Sequence, residues 1–125
     1  MNTKKLNEAI DYLKDQLGKG LIHTDIWMTV DGQSIAGYNS QPKAVALFNQ
    51  VTNQLAGALA NSEEEYVELG RYYIIDLIGD HMVIILYLGD FQWGLLFNKK
   101  EVQLGMLLNV VIPNVIDTFE EAIIE

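Results

Sequence analysis

The side chains of this 125-residue chain could support three kinds of chemistry: a serine–histidine–carboxylate relay, a carboxylate cation site and an arginine directed at phosphate. His23 and Asp25 are two residues apart, on one face of a strand-like segment, and Ser34 follows soon after. A relay from these three is arithmetically possible. A set of surface polar residues is the simpler reading, because Ser34, Ser40 and Ser62 are the only serines and none sits in a nucleophile-elbow context. The only histidines, His23 and His81, share no metal-ligand spacing. Glu63, Glu64, Glu65 and Glu68 form the densest charge cluster; it reads as a solvated acidic loop entering an edge strand, where like charge discourages aggregation, rather than as a cation site. The sole arginine, Arg71, falls in a strand-like segment and makes a poor arginine finger. There is no cysteine, hence no disulfide, thiolate nucleophile or zinc-thiolate site. Neither a GxxxxGK[ST] phosphate loop nor a GxGxxG motif occurs. The expectation is no catalytic residue, no metal and no cofactor.

Composition narrows the partners. Seventeen acidic residues against eight basic give a net charge of −9, while 50% of residues are hydrophobic and only 20% charged. That balance argues against nucleic acid, which needs clustered cations, and against an anionic membrane surface. The two long uncharged stretches, Ala44 to Ser62 and Val102 to Ile116, are interrupted by amides, and the second also by Pro113, so neither reads as a membrane span. The residues after Met1 do not form a signal peptide. A single domain over 1–125 in the cytoplasm is expected. Its apolar surplus suggests that a second copy or another partner covers part of the surface.

Periodicity supplies the elements. Leu6, Ile10, Leu13 and Leu17 recur on one helix face, with Thr3 as N-cap and Gly18 or Gly20 as the stop. Leu21 to Val30 alternates with period two. Asp31-Gly32 reads as a type I′ hairpin turn, and Gln33 to Tyr38 as the returning strand. A helix is predicted from Pro42 to about Ala60. Glu65 to Leu69 reads as a short strand, Gly70 as a break, Arg71 to Ile78 as another strand and His81 to Leu88 as a central one; Gly89 to Asn98 is ambiguous. A last helix starts near Lys99 and is kinked or split before Pro113. Trp27, Trp93 and the tyrosines at 66, 72 and 73 read as core or sheet-face packing.

The second helix is the most informative segment. At about 100° per residue, Leu47, Val51, Ala44, Leu55, Phe48, Leu59 and Val45 share a broad arc, the expected core face. The opposite arc holds Ala46, Asn49, Gln50, Asn53, Gln54, Gly57, Ala60 and Asn61, with no charge. Small residues let backbones approach, and amides bond across a contact without burying charge. This arc is the expected interface with a symmetry mate.

An amphipathic helix, an apolar strand, the hairpin Asp31-Gly32-Gln33-Ser34-Ile35-Ala36, an Ala-rich helix, three strands and a C-terminal helix together resemble the roadblock (dynein light chain) family. The resemblance spans nearly the whole chain. It implies an α/β (α+β) roadblock/profilin-like sandwich of order α-β-β-α-β-β-β-α: a mostly antiparallel five-stranded sheet with helices on both faces. It also implies a homodimer in which the second helices meet and the sheet continues through an edge strand, here Tyr66, Val67, Glu68 and Leu69. Members of the family regulate or scaffold small Ras-like GTPases, or act as cargo adaptors, without a catalytic side chain of their own. The leading functional reading is therefore a non-enzymatic homodimeric regulator or scaffold that binds a small GTPase or a similar signalling partner. The alternatives are a dimeric domain with some other partner and a secretion-type effector chaperone, which would place three strands before the second long helix and two after. An enzyme with a small-molecule pocket is the third class and lacks a convergent polar cluster.

Overall fold

Segments with alternating or continuous apolar residues, separated by glycine- and acid-containing turns, build five strands in the computed structural model, which describes residues 1–124. They are β1 (Leu21–Met28), β2 (Ser34–Tyr38), β3 (Tyr72–Asp76), β4 (His81–Leu88) and β5 (Phe91–Asn98). All pair antiparallel, in the order β2-β1-β5-β4-β3. Helix α1 (Thr3–Leu17) precedes the sheet and α2 (Pro42–Asn61) links β2 to β3. A last helical region comprises α3 (Leu104–Met106), a five-residue π-helical stretch (Leu107–Val111) and α4 (Ile112–Ile124). The two strands before α2 and three after it match the roadblock arrangement, not the chaperone one.

The sheet divides two cores of unequal size. On one face α1 and α4 bury Leu6, Leu13, Ile26, Ile84, Trp93 and Phe119. On the other, α2 covers only Trp27, Val45, Val83 and Ile85. The periodic apolar face of α1 is buried as expected. Its N-cap is Asn2 rather than Thr3: the Asn2 Oδ1 accepts from the Lys5 N–H at 3.1 Å.

Several boundaries differ from expectation for identifiable reasons. Residues 65–69 form no strand, because Glu63 (φ 57°) and Tyr66 (φ 68°) take left-handed conformations that end any extended run. The third strand is the shorter segment β3, and it forms one edge of the sheet, opposite β2. The ambiguous segment Phe91–Asn98 is the central strand β5. Its Gln92 and Gly94 interrupt the apolar pattern because the α2 face needs them, while Trp93, Leu95 and Phe97 fill the larger core. The β1–β2 connection is a five-residue loop, Thr29 to Gln33, in which only Gly32 (φ 74°) is left-handed, so the type I′ turn is not formed. The last helical region starts at Leu104, not Lys99. Its irregularity falls before Pro113 as expected: the Ile112 N–H donates to the Leu107 carbonyl, a π turn.

Gly94 is fixed by packing. A Cβ there would lie 2.8 Å from the Trp27 ring and 3.0 Å from Ile85 Cδ1. Gly94→Ala should therefore lower unfolding stability by about 1–3 kcal/mol, the usual cost of overpacking, as read from urea denaturation.

Candidate functional site: the second helix and the edge strand

Asp25 is 2% exposed and organises the entry to α2. Its carboxylate accepts from the hydroxyls of Ser34 and Ser40, and from the Gln41 N–H at 3.1 Å. Gln41 is the N-cap residue of α2 and Ser34 begins β2, so one buried acceptor ties β1, β2 and α2 together. Gly37 must lack a side chain, since a Cβ would lie 2.5 Å from Asp25 Oδ1. Ser34 thus donates directly to the carboxylate with no imidazole between them, and the serine–histidine–carboxylate relay is not assembled. His23 lines a small cavity under α2 with Asp25, Trp27 and Phe48. Burial holds its imidazole below the usual histidine range, against the opposing pull of Asp25. Glu63, Glu64, Glu65 and Glu68 are exposed, and among the described residues no group of His, Asp or Glu could hold a metal.

The α2 face toward the sheet is centred on Val45 and Thr52, rotated by roughly 60° from the expected core arc. A polar latch sets this roll. The Trp27 indole N–H donates to Asn49 Oδ1 at 3.1 Å and Gln92 Oε1 at 3.0 Å. Gln92 in turn donates to Asn53 Oδ1 at 3.1 Å, and Asn53 donates to the Thr29 carbonyl at 3.3 Å. Two amides of the expected interface arc are therefore engaged with the sheet. In exchange, the apolar flank rolls outward: Leu47 is 53% exposed, and Val51 and Leu55 are half-buried. Ala46, Gln50, Gln54, Gly57, Ala60 and Asn61 are all exposed. The Leu47–Val51–Leu55 stripe is thus not the core face that periodicity predicts. The signal against that assignment is the width of the apolar arc, about 160°, more than one sheet contact covers.

Asn49 and Asn53 mark the flank of α2 toward β1, so the stripe lies on the opposite flank, toward β3. There the Thr52 and Tyr73 hydroxyls are 2.7 Å apart, joining α2 to the edge strand. Tyr72 and Ile74 of β3 are 38% and 36% exposed, and β3 is charged only at its last residue, Asp76. Arg71 and Lys99 tie the two ends of this strand down, through Glu120 and Asp76. The residues placed in the edge strand from sequence lie just before it: Tyr66 is 94% and Val67 38% exposed, Glu68 is exposed and Leu69 half-buried. Tyr66 therefore packs in neither the core nor the sheet face.

This strand order, with α1 and α4 on one face and α2 on the other, is the roadblock/profilin-like fold. Myxococcus xanthus MglB superposes with a TM-score of 0.79 at 14% identity, over 95% of this chain and 87% of that one. The gliding protein MglB of Thermus thermophilus gives 0.68 at 10% identity, over 91% and 87%. Acanthamoeba castellanii profilin II gives 0.52 at 19% identity, over 88% and 92%. No family model and no curated protein matches the sequence. The likeness is one of fold.

The Asp25–His23 region lends itself to two measurements. Asp25→Ala should cost about 2–4 kcal/mol, because two hydroxyls and an N–H lose a buried charged acceptor. The lowered His23 value means that the unfolded chain takes up the proton first as pH falls through about 6.5. Stability should drop from pH 7.5 to 5.5, and the drop should be smaller in His23→Gln when urea midpoints are compared.

Proposed function

We propose that this protein is a non-enzymatic homodimeric regulator or scaffold that binds a small Ras-like GTPase. The observation that carries the reading is the sparsely charged surface made by the outer face of α2, where Lys43 is the helix's one charged residue, and the edge strand β3, charged only at Asp76, on a chain with a net charge of −9. Two strongly acidic molecules associate most readily through a face with little charge to desolvate or repel. Leu47, Val51 and Leu55 supply the apolar centre; Ala46 and Gly57 allow close approach; Gln50 and Gln54 supply hydrogen bonds at the rim. Extension of the sheet through β3 gives each copy partners for its open strand edge. The class of partner is the one the roadblock resemblance implies, and the likeness of fold to MglB supports that reading. The reading includes one roadblock-type domain over 1–125 in the cytoplasm; no helix among the described residues is long and apolar enough to cross a membrane.

Any effect on hydrolysis would be indirect. The sole arginine, Arg71, is engaged in a surface ion pair with Glu120 on α4. Stimulation would come from reorganising the switch loops of the GTPase.

Ultracentrifugation of the full chain should show a dimer, and Leu47→Lys or Gly57→Lys should convert it to monomer while keeping its circular dichroism. Small GTPases encoded in the same genome, loaded with GDP or a GTP analogue, should include one that binds in a nucleotide-dependent way. Indifference of every one of them in both states would remove the GTPase reading.

A further inference from the structure

Residues 102–116, which lead into and begin α4, carry no charge. Three large apolar side chains of this stretch face solvent: Leu104 is 36%, Met106 51% and Val110 44% exposed. Leu107 and Val111 fill the larger core, whereas Leu104, Met106 and Val110 belong to neither core. Met106 also lines, with Gln16, Leu17 and Val111, a cleft of about 320 Å³ beside the C-terminal turn of α1. An apolar patch and a cleft thus stand open on the helix layer, across the sheet from α2.

The rest of that outer face is acidic. α1 and α4 lie side by side and antiparallel: the Asn2 N–H donates to the Ala122 carbonyl at 2.7 Å, and Asn114 Nδ2 donates to the Tyr12 hydroxyl at 3.0 Å. Opposite its buried face, α1 exposes a ridge of Lys4, Glu8, Asp11 and Asp15, and α4 exposes Asp117 and Glu121. Asp11 with Asp15, and Asp117 with Glu121, are like charges four residues apart, an arrangement that destabilises a helix. Among the described residues none of these five carboxylates is in an ion pair, and at the apolar end Lys19 is taken up by Glu101 at 3.3 Å. The fold leaves their repulsion unrelieved.

Charge selects the occupant. A second copy is a poor one, because it brings seventeen acidic residues against eight basic to a face that already repels acid. An anionic membrane is repelled for the same reason. A cationic helix with an apolar end satisfies both parts of the surface, and the strip from 106 to 121 spans about 22 Å, the length of a helix of about 15 residues. We propose that the outer face of the α1–α4 layer docks a basic amphipathic helix of a partner protein. The apolar end of that helix seats on Met106, Val110 and the cleft, and its cations lie against Asp11, Asp15, Asp117 and Glu121. Because this face is across the sheet from α2, the inference goes beyond the homodimer reading and does not rest on it.

The probe is a fluorescein-labelled helical peptide of about 16 residues, leucine-rich at one end and lysine-bearing along one face, titrated with the full chain and followed by anisotropy. Binding should saturate. It should weaken about tenfold in the double variant Met106→Gln, Val110→Gln, and about tenfold at low salt in Asp11→Asn, Asp117→Asn. Glu64→Gln with Glu65→Gln removes the same charge from a distant loop and should change the affinity less than about twofold. All six substitutions are of exposed side chains and should preserve the circular dichroism. A wild-type chain that does not bind the peptide would overturn the proposal. So would an unchanged affinity in the Met106, Val110 variant, or equal losses in the two carboxylate variants, since the peptide would then read net charge alone. Binding of the wild type to phosphatidylserine vesicles in place of the peptide would overturn it in favour of a membrane.

Discussion

A single indole N–H decides which surface this protein leaves uncovered. Trp27 stands on the central sheet, in space that Gly94 keeps free, and its N–H is shared between Gln92 of β5 and Asn49 of α2. Gln92 then holds Asn53. A buried indole N–H without a partner is costly, so the helix must roll until its amides reach it. That roll brings polar residues of α2 onto the sheet and carries Leu47 into solvent. The apolar stripe beside β3 is thus a consequence of satisfying polar groups in the smaller core.

The rest of the architecture accommodates this arrangement. Asp25 fixes where α2 begins, by accepting from Gln41 and the serines on either side of β2. Thr52 and Tyr73 hold the helix to the edge strand. On the other face α1 and α4 enclose a larger, continuous core that anchors the sheet without any help from α2. One face of the sheet therefore carries most of the apolar burial, while the other carries a helix held largely by directional bonds and charged only at Lys43.

Much of this is legible in the residues. Leu6, Ile10, Leu13 and Leu17 declare α1; the continuous apolar run from His81 to Leu88 declares a strand covered on both faces; and Pro113 declares the break in the last helix. The order of elements carries the fold class. What stays hidden are effects of tertiary contact. Phe91–Asn98 looks ambiguous because Gln92 and Gly94 answer to Trp27, distant in sequence. The roll of α2 is unreadable because Asn49 and Asn53 look like surface residues until their partners in the sheet are known. Glu65 to Leu69 carries a plausible strand pattern, but a left-handed Tyr66 cannot be inferred from its residue type.

The π turn before Pro113 has a consequence for how this chain tolerates change in length. Its hydrogen bond reaches from Ile112 back to Leu107, five residues, where an ordinary helix reaches four. The stretch therefore stores one residue beyond what a regular helix would need between Leu107 and α4. It acts as a local phase-shifter: Leu107 and Val111, its first and last residues, face the core, and Ile112, Val115, Phe119 and Ala122 face the same core after it. A one-residue deletion at this point could be absorbed by tightening the turn, while the same deletion anywhere within α4 would rotate Phe119 out of the core. The C-terminal half of the protein thus has one place where its length is adjustable, next to the proline that makes the adjustment necessary.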